Sequence, residues 1–289
     1  MAYERNQPYQ GSATMTVETD LRFKDEIIRR PPIVENFVVM KQVLGALILR
    51  DMRTRFGRMS IGFLMWILIP FLHILLVVII YRVLGRTAPI GTDTITFLTL
   101  GVIPFIMCVY PFRQIARAVI INRPLLYFPR VRLLDIIIAR AALEIVAAVA
   151  VCVIVIGVLV ILGFEFRPFD VARMILGFAL ALYFGIALGF VVAVMSGVWA
   201  PALFAVVISS AMWGCSGVFF IPDNLPELAR EVAAYNPLLH CIELVRVGYY
   251  GDYVSRTLDV SYAFWFTTAM IAFGLIMQFM LKGVILSRH

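Results

Sequence analysis

Residues 174–222 run for 49 positions without one Asp, Glu, Lys or Arg. As continuous helix they would reach ~74 Å at ~1.5 Å per residue, more than twice the ~30 Å hydrocarbon core of a bilayer. The run must therefore cross twice. Its reversal falls at Met195-Ser196-Gly197-Val198-Trp199-Ala200-Pro201, where glycine and proline punctuate the apolar pattern. A soluble core would break such runs with charges every few residues. Here only 15% of the 289 residues are charged, against ~25% in a soluble domain, which excludes an ordinary soluble enzyme.

Four further charge-free runs, 59–81, 94–112, 145–164 and 260–281, hold 23, 19, 20 and 22 residues, each close to the ~20 that one crossing needs. With the double run they predict six spans, near 61–84, 95–119, 134–162, 171–195, 199–221 and 260–281. Residues 1–36 are polar and charged with no apolar stretch of the signal-peptide kind, so no leader is expected ahead of the spans.

Orientation follows from the 25 basic residues, because cytoplasmic flanks collect Lys and Arg. Residues 1–59, the connection 113–140 and the C-terminal tail carry eighteen of them; the opposite side carries seven. Six spans then place both termini in the cytoplasm. The net charge of +7 is mostly a topology signal and does not indicate nucleic-acid binding.

Three parts are expected: a polar tail over 1–36, an interfacial elbow helix over 37–58 and a membrane domain over 59–289. In the elbow, Phe37, Met40, Leu44, Leu47 and Ile48 recur at helical spacing opposite Lys41, Gln42, Arg50 and Arg53, the pattern of a helix lying at the headgroups. Arg50 and Arg53 are expected to anchor it.

Residues 222–259 are too long for a hairpin and too apolar for a free loop. Pro226 and Glu227 open one short helix, Asn236-Pro237 breaks it, and a second follows with Leu238, Ile242, Val245 and Tyr249 on its apolar face. Two short helices split in this way can enter a leaflet and return where protein buries them.

Chemistry-bearing groups are sparse. No G-x-x-x-x-G-K-[ST] loop is present, since the only lysines are Lys24, Lys41 and Lys282 and none follows a glycine. If ATP drives the protein, a separate subunit must bind it. Cys108, Cys152, Cys215 and Cys241 lack the spacing of a metal or redox site, and a Cys215 to Cys241 bridge is left open. His240 and Glu243 form the one His-acid pair at helical spacing, without an evident third metal ligand. Ion-coupled carriers bury acids or bases at mid-membrane. Here the clearest pair, Arg140 and Glu144, lies early in span three and can neutralise itself at i, i+4; it reads as a packing pair or as a substrate contact.

Three stretches carry a resemblance. Arg50-Asp51-Met52-Arg53-Thr54-Arg55-Phe56, followed by Gly62, Trp66 and Pro70, resembles the signature that opens permease subunits of ABC-2 type polysaccharide exporters. Asn122-Arg123-Pro124-Leu125-Leu126-Tyr127-Phe128-Pro129-Arg130 is similar to that family's coupling segment, and Asn236-Pro237-Leu238 with Glu243 and Arg246 to its N-P-L-x-x-x-I-E-x-x-R stretch. The subgroup it most resembles is the KpsM-type permease of capsular polysaccharide export.

The resemblance implies an all-α integral membrane protein with six transmembrane helices, an N-terminal interfacial amphipathic helix and a re-entrant periplasmic helical pair, the ABC-2 (type V exporter) transmembrane domain. It implies a homodimer in the bacterial inner membrane, with two copies of an ABC ATPase that bind ATP and Mg²⁺. This chain would then carry no cofactor and no catalytic residue. Its cargo would be a lipid-linked polysaccharide, passed to periplasmic adaptor and outer-membrane export proteins. O-antigen, teichoic acid or a small molecule is the alternative cargo on the same fold, and an ion-coupled carrier or membrane enzyme the alternative outside it. Coupling would fall to 121–133, with Asn122, Arg123, Leu125, Leu126, Tyr127, Phe128 and Arg130. A conduit for sugars wants aromatic rings beside polar or basic groups. Arg55, Phe56, Trp66, Tyr110, Arg140, Glu144, Trp199, Trp213, Tyr249 and Tyr250 are its candidates, although Trp and Tyr gather at membrane interfaces in any case.

Overall fold

The computed structural model describes residues 33–56, 61–91, 93–128, 131–164, 166–195 and 201–287. The chain divides into two compact units, Met1–Val43 and Leu44–His289, and the architecture below is that of the second. Ten α-helices are described: α1 (Ile33–Phe56), α2 (Ile61–Val83), α3 (Thr94–Ala116), α4 (Ala118–Ile121), α5 (Leu133–Ile161), α6 (Val171–Met195), α7 (Pro201–Cys215), α8 (Glu227–Ala234), α9 (Pro237–Tyr249) and α10 (Val260–Ser287). A 3₁₀ turn, Arg123–Tyr127, links α4 to α5, and another, Pro222–Asn224, precedes α8.

α3 is the axis of the bundle. It is apolar all round, and 18 of its 23 residues are buried, as a helix without a polar face must be. Asp93 starts it by accepting from the Ile95 and Thr96 amides at 3.2 and 3.0 Å. Pro104 and Pro111 lie inside it, each removing one helical hydrogen bond.

α6 packs along α3 with its backbone almost in contact. A Cβ on Gly185 would come within 2.2 Å of the Cys108 carbonyl oxygen, and one on Gly189 within 2.8 Å of Ile115 Cβ. Larger residues would force the two helices apart, the reason small residues line such seams. α6 also packs against α9 and α10, while α2, α5 and α7 flank α3. On α10, Trp265, Ile276, Phe279 and Met280 stay exposed, as on a surface meant for lipid or another subunit.

α3, α5, α6 and α10 are long and apolar enough to cross a membrane. α2 spans 23 residues, ~35 Å of helix. α6 has the expected bounds, and its end at Met195 and the start of α7 at Pro201 bracket the expected reversal. Within the fifth expected span, 199–221, the helix is described over Pro201–Cys215, ~22 Å of its length, and it ends six residues before the expected bound. Two local features end it. Gly217 takes φ +76°, where other residues are strained, and the Val218 and Phe220 carbonyls accept from Arg246 at 3.0 and 2.9 Å instead of from helical amides. α1 begins at Ile33, four residues before the expected elbow; Leu47 is buried, and Lys41, Gln42 and Arg53 are exposed.

Candidate functional site

A polar hub ties together four parts of the chain that lie far apart in sequence. Asp51, on the last turns of α1, is buried. Its Oδ2 accepts from Arg140 Nη1 of α5 at 3.3 Å, and its Oδ1 from Arg50 Nη2 at 2.7 Å. Arg50 also donates to the Asn122 side chain, and Asn122 Nδ2 closes back on the Ala118 carbonyl at 2.8 Å. Arg140 Nη2 donates to Gln114 Oε1 of α3 at 2.7 Å, and its Nε lies 3.2 Å from Glu144 Oε1.

One guanidinium thus donates to α1 and α3 through two nitrogens while staying in ion-pair range of Glu144 on its own helix, a reach its planar fork allows and an ammonium does not. Two cations, Arg50 and Arg140, face two anions, Asp51 and Glu144. Balance of this kind is what makes charge tolerable once it is taken out of water. The hub adjoins the 3₁₀ turn, whose Tyr127 is 71% exposed and is followed by Phe128 at 60%. An aromatic pair so exposed offers apolar surface at this end of the bundle.

The other end of the bundle holds a second buried pair. Glu243 and Arg246 of α9 are both wholly buried, with Oε1 and Nη1 3.0 Å apart. Arg246 also binds the Val218 and Phe220 carbonyls, and its guanidinium carbon sits 4.2 Å from the centre of the Phe97 ring. Gly101 leaves room for it, since a Cβ there would lie 3.1 Å from Arg246 Nη2. The Tyr253 hydroxyl donates to Glu243 Oε2. Burial, then the Glu243 charge, pushes the Tyr253 phenol far above its ordinary range, so it remains a donor at any working pH.

The surrounding segment is fastened at several points. Asn236 caps α9 through the Leu238 amide at 3.1 Å and donates to Ser216 Oγ at 2.9 Å. Asp223 accepts from the Arg256 amide and Thr257 Oγ1 at 3.0 and 3.1 Å. His240 accepts the Asp259 amide on Nδ1 at 3.0 Å, which leaves Nε2–H to donate to the Ala234 carbonyl at 2.7 Å. His240 and Glu243 therefore turn to different partners and do not converge on a common point. Cys215 and Cys241 are both free, Cys215 exposed and Cys241 buried.

The ABC-2 type transporter family profile matches residues 42–250, a stretch that includes both polar ends and most of the bundle. The chain belongs to the ABC-2 type transporter family. It is 31% identical over 251 residues to the capsule polysaccharide export inner-membrane protein CtrC of Neisseria meningitidis serogroup A, covering 86% of this chain and 94% of that protein. It is 29% identical over 258 residues to the inner-membrane protein BexB of Haemophilus influenzae, also named for capsule polysaccharide export, covering 84% and 92%. To the polysialic acid transport protein KpsM of Escherichia coli it is 29% identical over 242 residues, covering 83% and 93%.

Within this ABC-2 transporter chain the expected site residues separate into groups. Arg50, Asn122, Arg140 and Glu144 meet in the hub. Arg50, read from the sequence as an anchor of the elbow, donates to Asp51 and Asn122 while its side chain stays partly exposed. Arg53 and Arg123 are exposed, and Leu125 and Leu126 are half-buried. Trp213 Nε1 donates to His73 at 2.8 Å with Phe219 edge-on at 4.3 Å. Tyr249 and Tyr250 pack edge to face at 4.9 Å, and Tyr110 is half-buried against the core. Arg130 and Trp199, and the side chains of Arg55, Phe56 and Trp66, lie outside the described residues.

Asp51 and Gln114 are the hub residues that sequence reasoning left without a role. Asp51 stood inside the quoted motif, and its own signal was a lone acid among Arg50, Arg53 and Arg55. Gln114 gave no signal that could have found it.

Proposed function

We propose that this chain is the membrane permease subunit of an ABC exporter that moves a lipid-linked capsular polysaccharide across the inner membrane. The observation that carries the reading is the end-to-end similarity to permeases named for capsule polysaccharide export, with more than nine-tenths of each relative covered. The chain's chemistry supports it. It has no phosphate-cradling loop, so a partner ATPase supplies the drive, and each of its two buried polar networks pairs an arginine with a carboxylate, as structural pairs do.

In this reading six helices span, α2, α3, α5, α6, α7 and α10, with α7 completed by residues on its flanks. α8 and α9 form the re-entrant pair at the periplasmic exit. Burial of 11 of the 13 residues of α9 supports this, because non-helical backbone at membrane depth requires cover by protein. Both termini and the Arg123–Tyr127 turn are cytoplasmic. Two copies pair, with exposed spans such as α10 meeting lipid or the second copy, and the pathway runs between them. Two ATPase subunits close on ATP, push on the turn and, through the hub, on α1, α3 and α5. Periplasmic adaptor and outer-membrane export proteins receive the polymer.

The decisive experiment is purification with the co-encoded ATPase, followed by ATP turnover with and without a lipid-linked glycan. Stimulation by the glycan, and not by the lipid alone, is the expected result. A chain that does not retain the ATPase, or whose turnover ignores the glycan, removes the reading.

A further inference from the structure

Two clefts meet at the end of the bundle away from the coupling turn, which α3 separates from it by 23 residues, or ~34 Å. The first, of about 430 Å³, lies between the α2–α3 connection and the stretch after α7; Tyr81, Arg86, Thr87, Phe219 and Phe220 line it. The second, of about 500 Å³, shares Gly85, Arg86 and Thr87 and adds Arg82 and Asp93. Arg86 stands where the two join.

The acids at this end are already engaged. Both oxygens of Asp93 cap α3, and Oδ2 also accepts from Thr96 Oγ1 at 2.6 Å. Asp223 holds the Arg256 amide and Thr257, and Glu243 holds Arg246 and Tyr253. Arg82 and Arg86 are exposed, and among the described residues neither takes part in an ion pair. Arg82 has a local reason to be where it is, since a cation suits the C-terminal end of α2. Arg86, past the chain reversal at Gly85 (φ +60°), has the Tyr81 hydroxyl beside it but no acid paired with it among the described residues. It also runs against the charge asymmetry of the sequence, which keeps basic residues off this side.

Beside the cations stands an aromatic wall. The Tyr81 and Phe219 rings stack at 6.5 Å and 24°, the Tyr81 hydroxyl donates to the Phe219 carbonyl, and Trp213 supports Phe219 from behind. A guanidinium outside any ion pair, next to an aromatic face, matches a sugar acid, whose carboxylate takes the bidentate fork while its CH face lies on the ring.

We propose that this double cleft binds the anionic groups, carboxylate or phosphate, of an acidic glycan, with Arg86 as the principal ligand, Arg82 as the second and Phe219 and Phe220 as the apolar wall. The proposal rests on the exporter reading and adds to it a charge requirement on the polymer at its exit. A row of such groups along a chain would pass the cleft one after another, each held weakly enough to leave.

The test uses the permease–ATPase complex in nanodiscs of zwitterionic lipid, with an oligosialic acid and a neutral maltooligosaccharide of equal length as probes. The acidic probe is expected to bind and the neutral one not. Arg86→Gln should weaken that binding about tenfold, the scale of one charge-assisted hydrogen bond, Arg86→Lys should restore part of it, and Arg82→Gln should weaken it less. Equal binding of both probes, binding of neither, or unchanged affinity in Arg86→Gln overturns the proposal. So does a site that responds only to added phosphatidylglycerol, which would make it a lipid headgroup site. Glycan-stimulated ATP turnover, measured on the same preparation, reports separately on the exporter reading and survives if only the cleft assignment fails.

Discussion

Arg140 of α5 reaches back 89 residues to place Nη1 3.3 Å from Asp51 Oδ2 of α1. Through this contact α1 is joined to α5, the helix that follows the Arg123–Tyr127 turn. If the turn couples to an ATPase, as proposed above, a push on it that moves α5 should also load α1. Asp51→Asn keeps the shape and one acceptor but removes the charge that balances Arg140. Membrane abundance and ATPase retention should stay near wild type, while polymer export falls at least severalfold. The exchanged pair Asp51→Arg with Arg140→Asp should recover part of that export. Export unchanged in Asp51→Asn would reduce the contact to packing.

Tyr127 and Phe128 are the test of the coupling turn. Burying two such rings against a partner is worth about 3–6 kcal/mol on area alone, a large share of a modest protein contact. Tyr127→Ala with Phe128→Ala should leave insertion intact and strip the ATPase from the purified permease or abolish its stimulation. Normal co-purification with normal turnover would place the coupling surface elsewhere.

Much of this architecture is legible in the sequence because bilayer thickness acts as a ruler. Charge-free runs near 20 residues became α2, α3, α5 and α10, and the 49-residue run became α6 and α7, parted where the reversal was expected. The length of α7 was not legible. Residues 216–221 are nearly as apolar as those before them, and the helix ends at Gly217 with its positive φ and where Arg246, 28 and 26 positions downstream, takes the Val218 and Phe220 carbonyls. The hub was half legible. Arg140 and Glu144 announce themselves at i, i+4, whereas Asp51 and Gln114 acquire partners only when α1 and α3 come together. Arg86 gave no sign beyond its place on the side where basic residues are scarce.

The two ends of the bundle should label from opposite sides of the membrane. In a background lacking Cys108, Cys152, Cys215 and Cys241, Glu231→Cys on α8 and Arg123→Cys in the turn are both exposed positions. An impermeant maleimide added to cells with a permeable outer membrane should modify Glu231→Cys and leave Arg123→Cys untouched until the inner membrane is opened. Labelling of both from the same side would overturn the count of six crossings, because an odd number of crossings separates these two positions when α5, α6 and α7 all span.

The Glu243–Arg246 pair should be the least replaceable polar feature of the chain. Arg246 donates to two carbonyls and one carboxylate and covers the Phe97 ring. Lys offers a single point charge and cannot reach two carbonyls and a carboxylate in one plane. Arg246→Lys should therefore behave almost as a loss, and Arg246→Met more severely, because it leaves Glu243 buried and uncompensated at a cost of about 3–5 kcal/mol. Changing both partners, Glu243→Gln with Arg246→Met, removes the stranded charge and should regain part of the stability lost by Arg246→Met alone. Thermal unfolding of the detergent-solubilised protein checks the order wild type, double variant, Arg246→Met. A double variant no more stable than Arg246→Met would show that the carbonyl contacts to Val218 and Phe220, and not the ion pair, hold the outer segment to α3.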